Sequence, residues 1–131
     1  MATKPVFAAT PRQGQGTIST AETSFSAPTN VATIFTAGAS GSRIERVRVC
    51  ATGTTAAGIV NLWLHDGTNY RLVRSVLQSA ITASTTVAPW GTDGAGFVYF
   101  EGGLILPTGW SLRASTTIAQ GFHITADGAD F

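Results

Sequence analysis

The sequence predicts an all-β protein, an antiparallel β-sandwich spanning residues 30–131 and preceded by an extended N-terminal arm, residues 1–29. Three observations predict it. From Asn30 onward, short runs rich in β-branched and aromatic residues recur between turn signals carrying Gly, Pro, Asn or Asp. Several of these runs alternate apolar and polar side chains, as a half-buried strand does. No stretch of helical length combines helical periodicity with a capping residue.

The elements follow in order. The first 29 residues have no sustained period; Pro5, Pro11, Gly14, Gly16 and Pro28 punctuate them and Ser and Thr fill the spaces. A short strand near Thr17–Thr20 is the one element the segment offers, so it reads as an arm ordered only where something holds it. Val31–Ala37 is the first strand of the sandwich and ends at Gly38-Ala39-Ser40-Gly41. Arg43–Thr52 alternates, with Val47, Val49 and Ala51 on one face and Arg46, Arg48 and Cys50 on the other. Ile59–His65 puts Val60, Leu62 and Leu64 toward the core and Asn61, Trp63 and His65 opposite. Asp66-Gly67-Thr68-Asn69 is a hairpin turn, because Gly and Asn accept the positive φ that a tight turn needs. Tyr70–Leu77 returns as its partner.

Ile81–Ala88 reads as a further strand, followed by a loop over Pro89–Gly96. Phe97–Glu101 and Leu104–Leu106 are two strands, or one strand bent at Gly102-Gly103. Pro107-Thr108-Gly109 turns the chain into Trp110–Thr116, and Gly121–Ala126 is last. A sandwich this small must protect its edges, either by closing as a jelly roll or by covering them with a neighbour.

Charge is scarce. Only 11% of the 131 residues are charged, against about a quarter in an ordinary soluble domain. Acids and bases almost cancel at +1, and Lys4 is the single lysine beside seven arginines. A sparsely charged exterior associates readily, and interfaces enrich Arg while depleting Lys. Both features point to a surface covered by other protein. The chain is too apolar for obligate disorder, has no apolar run of the roughly 18 residues that span a bilayer, and is not basic enough to bind nucleic acid by charge alone. The N-terminus lacks a signal-peptide core, which implies cytoplasmic synthesis.

Catalytic and metal chemistry finds little to work with. His65 and His123 are the only histidines and show no ligand spacing. Cys50 is the only cysteine, so no internal disulfide or thiolate cluster forms, and a small apolar filler on a strand is its simplest role. Gly38-Ala39-Ser40-Gly41 is not a nucleophile elbow, Gly94-Ala95-Gly96 lacks the rest of a phosphate loop, and the seven acids form no evident pair. No enzyme, metal or cofactor is expected. Trp63, Trp90 and Trp110 would suit a sugar platform, against the simpler role of anchoring a core edge or interface.

Two motifs carry a family resemblance. The Arg43–Arg74 segment with its His65-Asp66-Gly67-Thr68-Asn69 hairpin, and the turn-and-strand Leu106-Pro107-Thr108-Gly109-Trp110-Ser111-Leu112-Arg113-Ala114, resemble small virion proteins of tailed bacteriophages and prophages. The functional class they are most similar to is the jelly-roll capsid cement, or decoration, proteins. The likeness covers Ala32 to the C-terminus. It implies a jelly-roll sandwich on the outside of the virion head, bound to the major capsid protein across capsomer joints and self-associated as a dimer or trimer. No membrane and no direct nucleic-acid contact is implied. The expected partner-binding residues are the arm (Pro5, Val6, Phe7), an arginine face (Arg46, Arg48, Arg71, Arg74) and exposed Trp63 or Trp90. The alternative is a tail or fibre component that binds carbohydrate through its tryptophans.

Overall fold

The structure, a computed structural model, describes residues 7–131. Its eight strands are β1 Thr10–Ile18, β2 Ala32–Thr36, β3 Ser42–Ala51, β4 Gly58–His65, β5 Tyr70–Gln78, β6 Phe97–Leu106, β7 Ser111–Thr116 and β8 Phe122–Asp130. They form two four-stranded antiparallel sheets, ordered β1-β8-β3-β6 and β2-β7-β4-β5. The chain changes sheet at every connection except the β4–β5 hairpin. The fold is a β-sandwich, and its inner faces supply the core.

Alternation decides which side chains enter that core. On β3, Val47, Val49 and Ala51 face inward, and Arg46, Arg48 and Cys50 lie on the outer face. The register slips between Ile44 and Arg46, so the extra residue Glu45 lets Ile44 and Val47, three apart, both reach the interior. On β4, Val60 and Leu62 are fully buried and pack with Phe35, Leu112 and Phe122. Each such side chain contributes about 1.5–3 kcal/mol on leaving water. The Asp66 carboxylate closes the hairpin by accepting the Thr68 and Asn69 N–H groups at 2.9 and 2.7 Å, while Gly67 takes φ 100°. β6 is one strand bent where two glycines fall. Its pairing to β3 lapses between Tyr99 and Leu104, and Gly102 and Gly103 adopt φ 77° and 84°.

The N-terminal segment corrects the expected domain boundary. Residues 10–18 are not an arm outside the sandwich; they pair with β8 at nine successive positions. The inward positions of β1 are Arg12, Gly14, Gly16 and Ile18, and only Ile18 is a buried apolar side chain. A Cβ on Gly14 would stand 2.2 Å from the Ile34 carbonyl oxygen, and one on Gly16 would stand 2.6 Å from Ile34 Cδ1. The glycines are therefore where β1 lies directly against β2. Arg12 closes the corner: its guanidinium binds Asp130 on β8 at 3.0 Å, donates to the Thr36 carbonyl, and sits 4.3 Å over the Phe35 ring.

The strand expected at Ile81–Ala88 is absent. Ile81 makes a single bridge to Thr55, and the Ser84 hydroxyl accepts the N–H groups of Thr86 and Val87, which folds the segment into a local turn. β-branched residues favour a strand only where a neighbour is present to pair with them. Beyond it, the Pro89–Gly96 loop folds against β3. The Ala51 N–H donates to the Trp90 carbonyl at 2.8 Å, the Val49 N–H to the Gly96 carbonyl at 3.0 Å, and the Trp90 ring meets Phe122 edge-on at 6.4 Å.

Candidate interaction surfaces

The outer face of the β1-β8-β3-β6 sheet carries an arginine–aromatic ladder. Strand alternation sets Arg46 and Arg48 two apart on β3, and the register places Tyr99 and Phe97 of β6 opposite them. The Arg48 guanidinium lies 4.6 Å from the Phe97 ring centre, and Arg46 lies 5.7 Å from the same ring. Phe97 stacks on Tyr99, with centroids 5.8 Å apart and planes 12° from parallel. Tyr99 is 64% exposed. Large aromatic area left in water beside an arginine is the composition that protein interfaces concentrate.

The charges on this face are unequal in freedom. Arg46 Nε binds Asp127 Oδ2 at 2.5 Å, and Gln13 of β1 donates to Asp127 Oδ1 at 2.9 Å. Those bonds, Gln13 first and Arg46 second, hold the Asp127 carboxyl below the usual aspartate range. Arg43 pairs with Glu45 at 2.9 Å. Arg48 has no ion-pair partner among the described residues, which leaves its donors available. Farther along β3, Cys50 sits opposite His123, and partial burial pushes its thiol up, away from the reactive thiolate. A small open cleft of about 250 Å³ at the end of β1 is lined by Thr17, Ser19, Thr20, Thr29 and Asn30 among others. It offers hydroxyl and amide hydrogen bonds without an acid or base.

The other sheet treats its expected site residues differently. Trp63 is on the outer side of β4 yet fully buried. Its Nε1 donates to Ser115 Oγ at 2.8 Å, and Tyr70 stands edge-on at 6.1 Å. Arg113 donates to the Tyr70 hydroxyl at 2.9 Å, and His65 tilts against the same ring at 4.4 Å. Trp90 is also buried. Neither tryptophan is the exposed contact that its residue type implied, because each indole finds enough neighbours to leave water.

Comparison with protein-family models, with curated proteins and with solved structures finds no match to this chain.

The four expected arginines divide into two pairs. Arg46 and Arg48 share the ladder; Arg71 and Arg74 are exposed on β5, at the end of the opposite sheet. Phe7 is 75% exposed, and Pro5 and Val6 lie outside the described residues. Phe97 and Tyr99 escaped the reading of the sequence. Their signal was present as two aromatics two apart, matching two arginines two apart, but it needed the β3–β6 register to join them.

Proposed function

We propose that this chain is a non-enzymatic structural virion protein: a capsid cement protein that binds the outside of a tailed-phage head and ties neighbouring capsomers together. The observation that carries the reading is the exposed ladder of Arg48, Phe97 and Tyr99 on a rigid sheet. Rigid aromatics lose little entropy on docking, and an unpaired guanidinium supplies directional hydrogen bonds to carboxylates and carbonyls. The strand order β1-β8-β3-β6 over β2-β7-β4-β5 supports a jelly roll as the finer description of the sandwich, an architecture used by viral capsid and lectin domains. A fold carries no function by itself, so the surface decides.

The mechanism is multivalent binding. Each weak contact becomes effectively intramolecular once a neighbouring contact has formed, so a dimer or trimer at a lattice axis holds far more tightly than one copy. The major capsid protein is the partner. The runner-up, a tail or fibre component that binds carbohydrate, drew on Trp63, Trp90 and Trp110 as the sugar platform; Trp63 and Trp90 are buried, and Trp110 is partly buried against the core.

Co-sedimentation with stripped heads of the encoding phage tests the reading. Wild-type protein pellets with heads in hundreds of copies, and the Arg48→Ala, Tyr99→Ala pair weakens binding about tenfold or more. Failure of the wild type to bind heads, or its presence only on tails, overturns it.

A further inference from the structure

The sandwich closes or breaks three of its four sheet edges. β1 lies against β2, where Gly14 and Gly16 admit the Ile34 backbone and side chain, so two edges meet at one corner. The outer edge of β6 is broken by the Gly102-Gly103 bend. The fourth edge is β5, a nine-residue strand at the end of its sheet, with no strand beyond it among the described residues. Such an edge displays a row of unpaired main-chain N–H and C=O groups.

We infer that the open edge of β5 takes an extended, acidic segment of a partner protein as an added strand. The inference deepens the cement reading, on which it rests, by naming the surface and the chemistry of the shell-protein segment.

The backbone geometry is specific. The Asp66 N–H donates to the Asn69 carbonyl at 3.3 Å, so the hairpin-closing pair is hydrogen-bonded. By antiparallel alternation, His65/Tyr70 and Trp63/Leu72 are non-hydrogen-bonded pairs, and the main-chain groups of Tyr70 and Leu72 point to the open side. The Tyr70 carbonyl already accepts a bond there, from its neighbour Arg71 at 3.2 Å. An incoming N–H replaces that bond and releases the guanidinium. The one irregularity is at Val73, where the register slips between Leu72 and Arg74.

Charge selects the occupant. Arg71 and Arg74 are exposed, neither has an ion pair among the described residues, and Tyr70–Gln78 contains no Asp or Glu. Asp66, in the adjoining turn, commits its carboxylate to the Thr68 and Asn69 amides. A second copy paired on this edge would bring arginines against arginines, and like charges across a ladder are destabilising. Carboxylates on the incoming strand reverse that sign. The same two arginines thus oppose self-pairing and favour an acidic partner. Leu72 and Leu77, 41% and 81% exposed, supply apolar contacts beside the main-chain bonds.

The test uses the full chain with two capped peptides, one alternating valine and glutamate and one alternating valine and lysine. Amide hydrogen exchange is read residue by residue. The glutamate peptide slows exchange at Tyr70 and Leu72 by about tenfold, the lysine peptide does not, and the exposed double substitution Arg71→Glu, Arg74→Glu exchanges the two preferences. Equal protection by both peptides, protection elsewhere only, or β5 protection that rises with protein concentration alone overturns the inference, the last by showing a second copy on the edge. Head binding separates this from the cement reading. If heads bind wild type and the double variant equally, the edge inference falls and the cement reading stands. If heads bind neither while the glutamate peptide still docks, the cement reading falls and the edge inference stands.

Discussion

The Trp63 indole donates its N–H to the Ser115 hydroxyl at 2.8 Å, and both residues are fully buried on the side of their sheet that faces away from the core. That side is therefore a second packed layer on β4 and β7. Removing the acceptor with Ser115→Ala strands a buried donor, and chemical denaturation should record a loss of about 1–3 kcal/mol. Trp63→Ala should lose about 3–5 kcal/mol. In the double variant Trp63→Phe, Ser115→Ala, donor and acceptor leave together, and the loss should fall short of the sum of the losses in Trp63→Phe and Ser115→Ala measured singly.

Gly14 and Gly16 should differ in their tolerance of alanine. At Gly14 the new methyl meets main chain, the Ile34 carbonyl oxygen, at 2.2 Å; at Gly16 it meets first the end of the Ile34 side chain, at 2.6 Å. Gly14→Ala should cost about 1–3 kcal/mol. Gly16→Ala should cost less, and Gly53→Ala, with open space around it, should stay within about 0.5 kcal/mol of wild type. Thermal unfolding of the three variants gives the ranking.

Asp127 makes stability depend on pH in one direction. Its carboxyl is held below the unfolded value by Gln13 and Arg46, so its stabilisation is complete above the unfolded pKa, about 3.9 for aspartate, and is lost as pH falls through the lower folded value. Asp127→Asn should be less stable than wild type near neutrality. Denaturation curves taken at successively lower pH should show that gap narrowing only below about pH 4.

Arg48→Ala separates docking from folding. An exposed cation–π contact contributes about 0.5–1 kcal/mol, and the Arg48 contact with Phe97 is of that kind. Calorimetry should therefore find a near-native melting temperature for a variant whose head binding is sharply weaker.

The sequence revealed most where side-chain size and alternation agreed. β3 and β4 were legible because Val47, Val49, Val60 and Leu62 fall on one face at every second position. The Asp66–Asn69 hairpin was legible because its turn chemistry is local. β1 was hidden because its inward positions hold glycine where a reader looks for valine; alternation is present, but contact with Ile34 leaves no room for a side chain. Ile81–Ala88 misled for the opposite reason, since its composition favours a strand and its surroundings provide no ladder. For the site, Arg46 and Arg48 were visible as a face, whereas the burial of Trp63 and Trp90 depends on distant partners, Ser115 and Phe122, that no local pattern names.

The pairing of β1 with β8 joins residues more than a hundred positions apart. On the ribosome, β1 is made first of the eight strands and its ladder partner β8 last, so β1 must wait for the seven strands that follow it before it can be placed. Until then the β8 position is vacant, and the Ile34 and Phe35 corner lacks its cover. Closure of the sandwich therefore has to follow synthesis of β8, and until then the growing chain carries an unpaired strand edge.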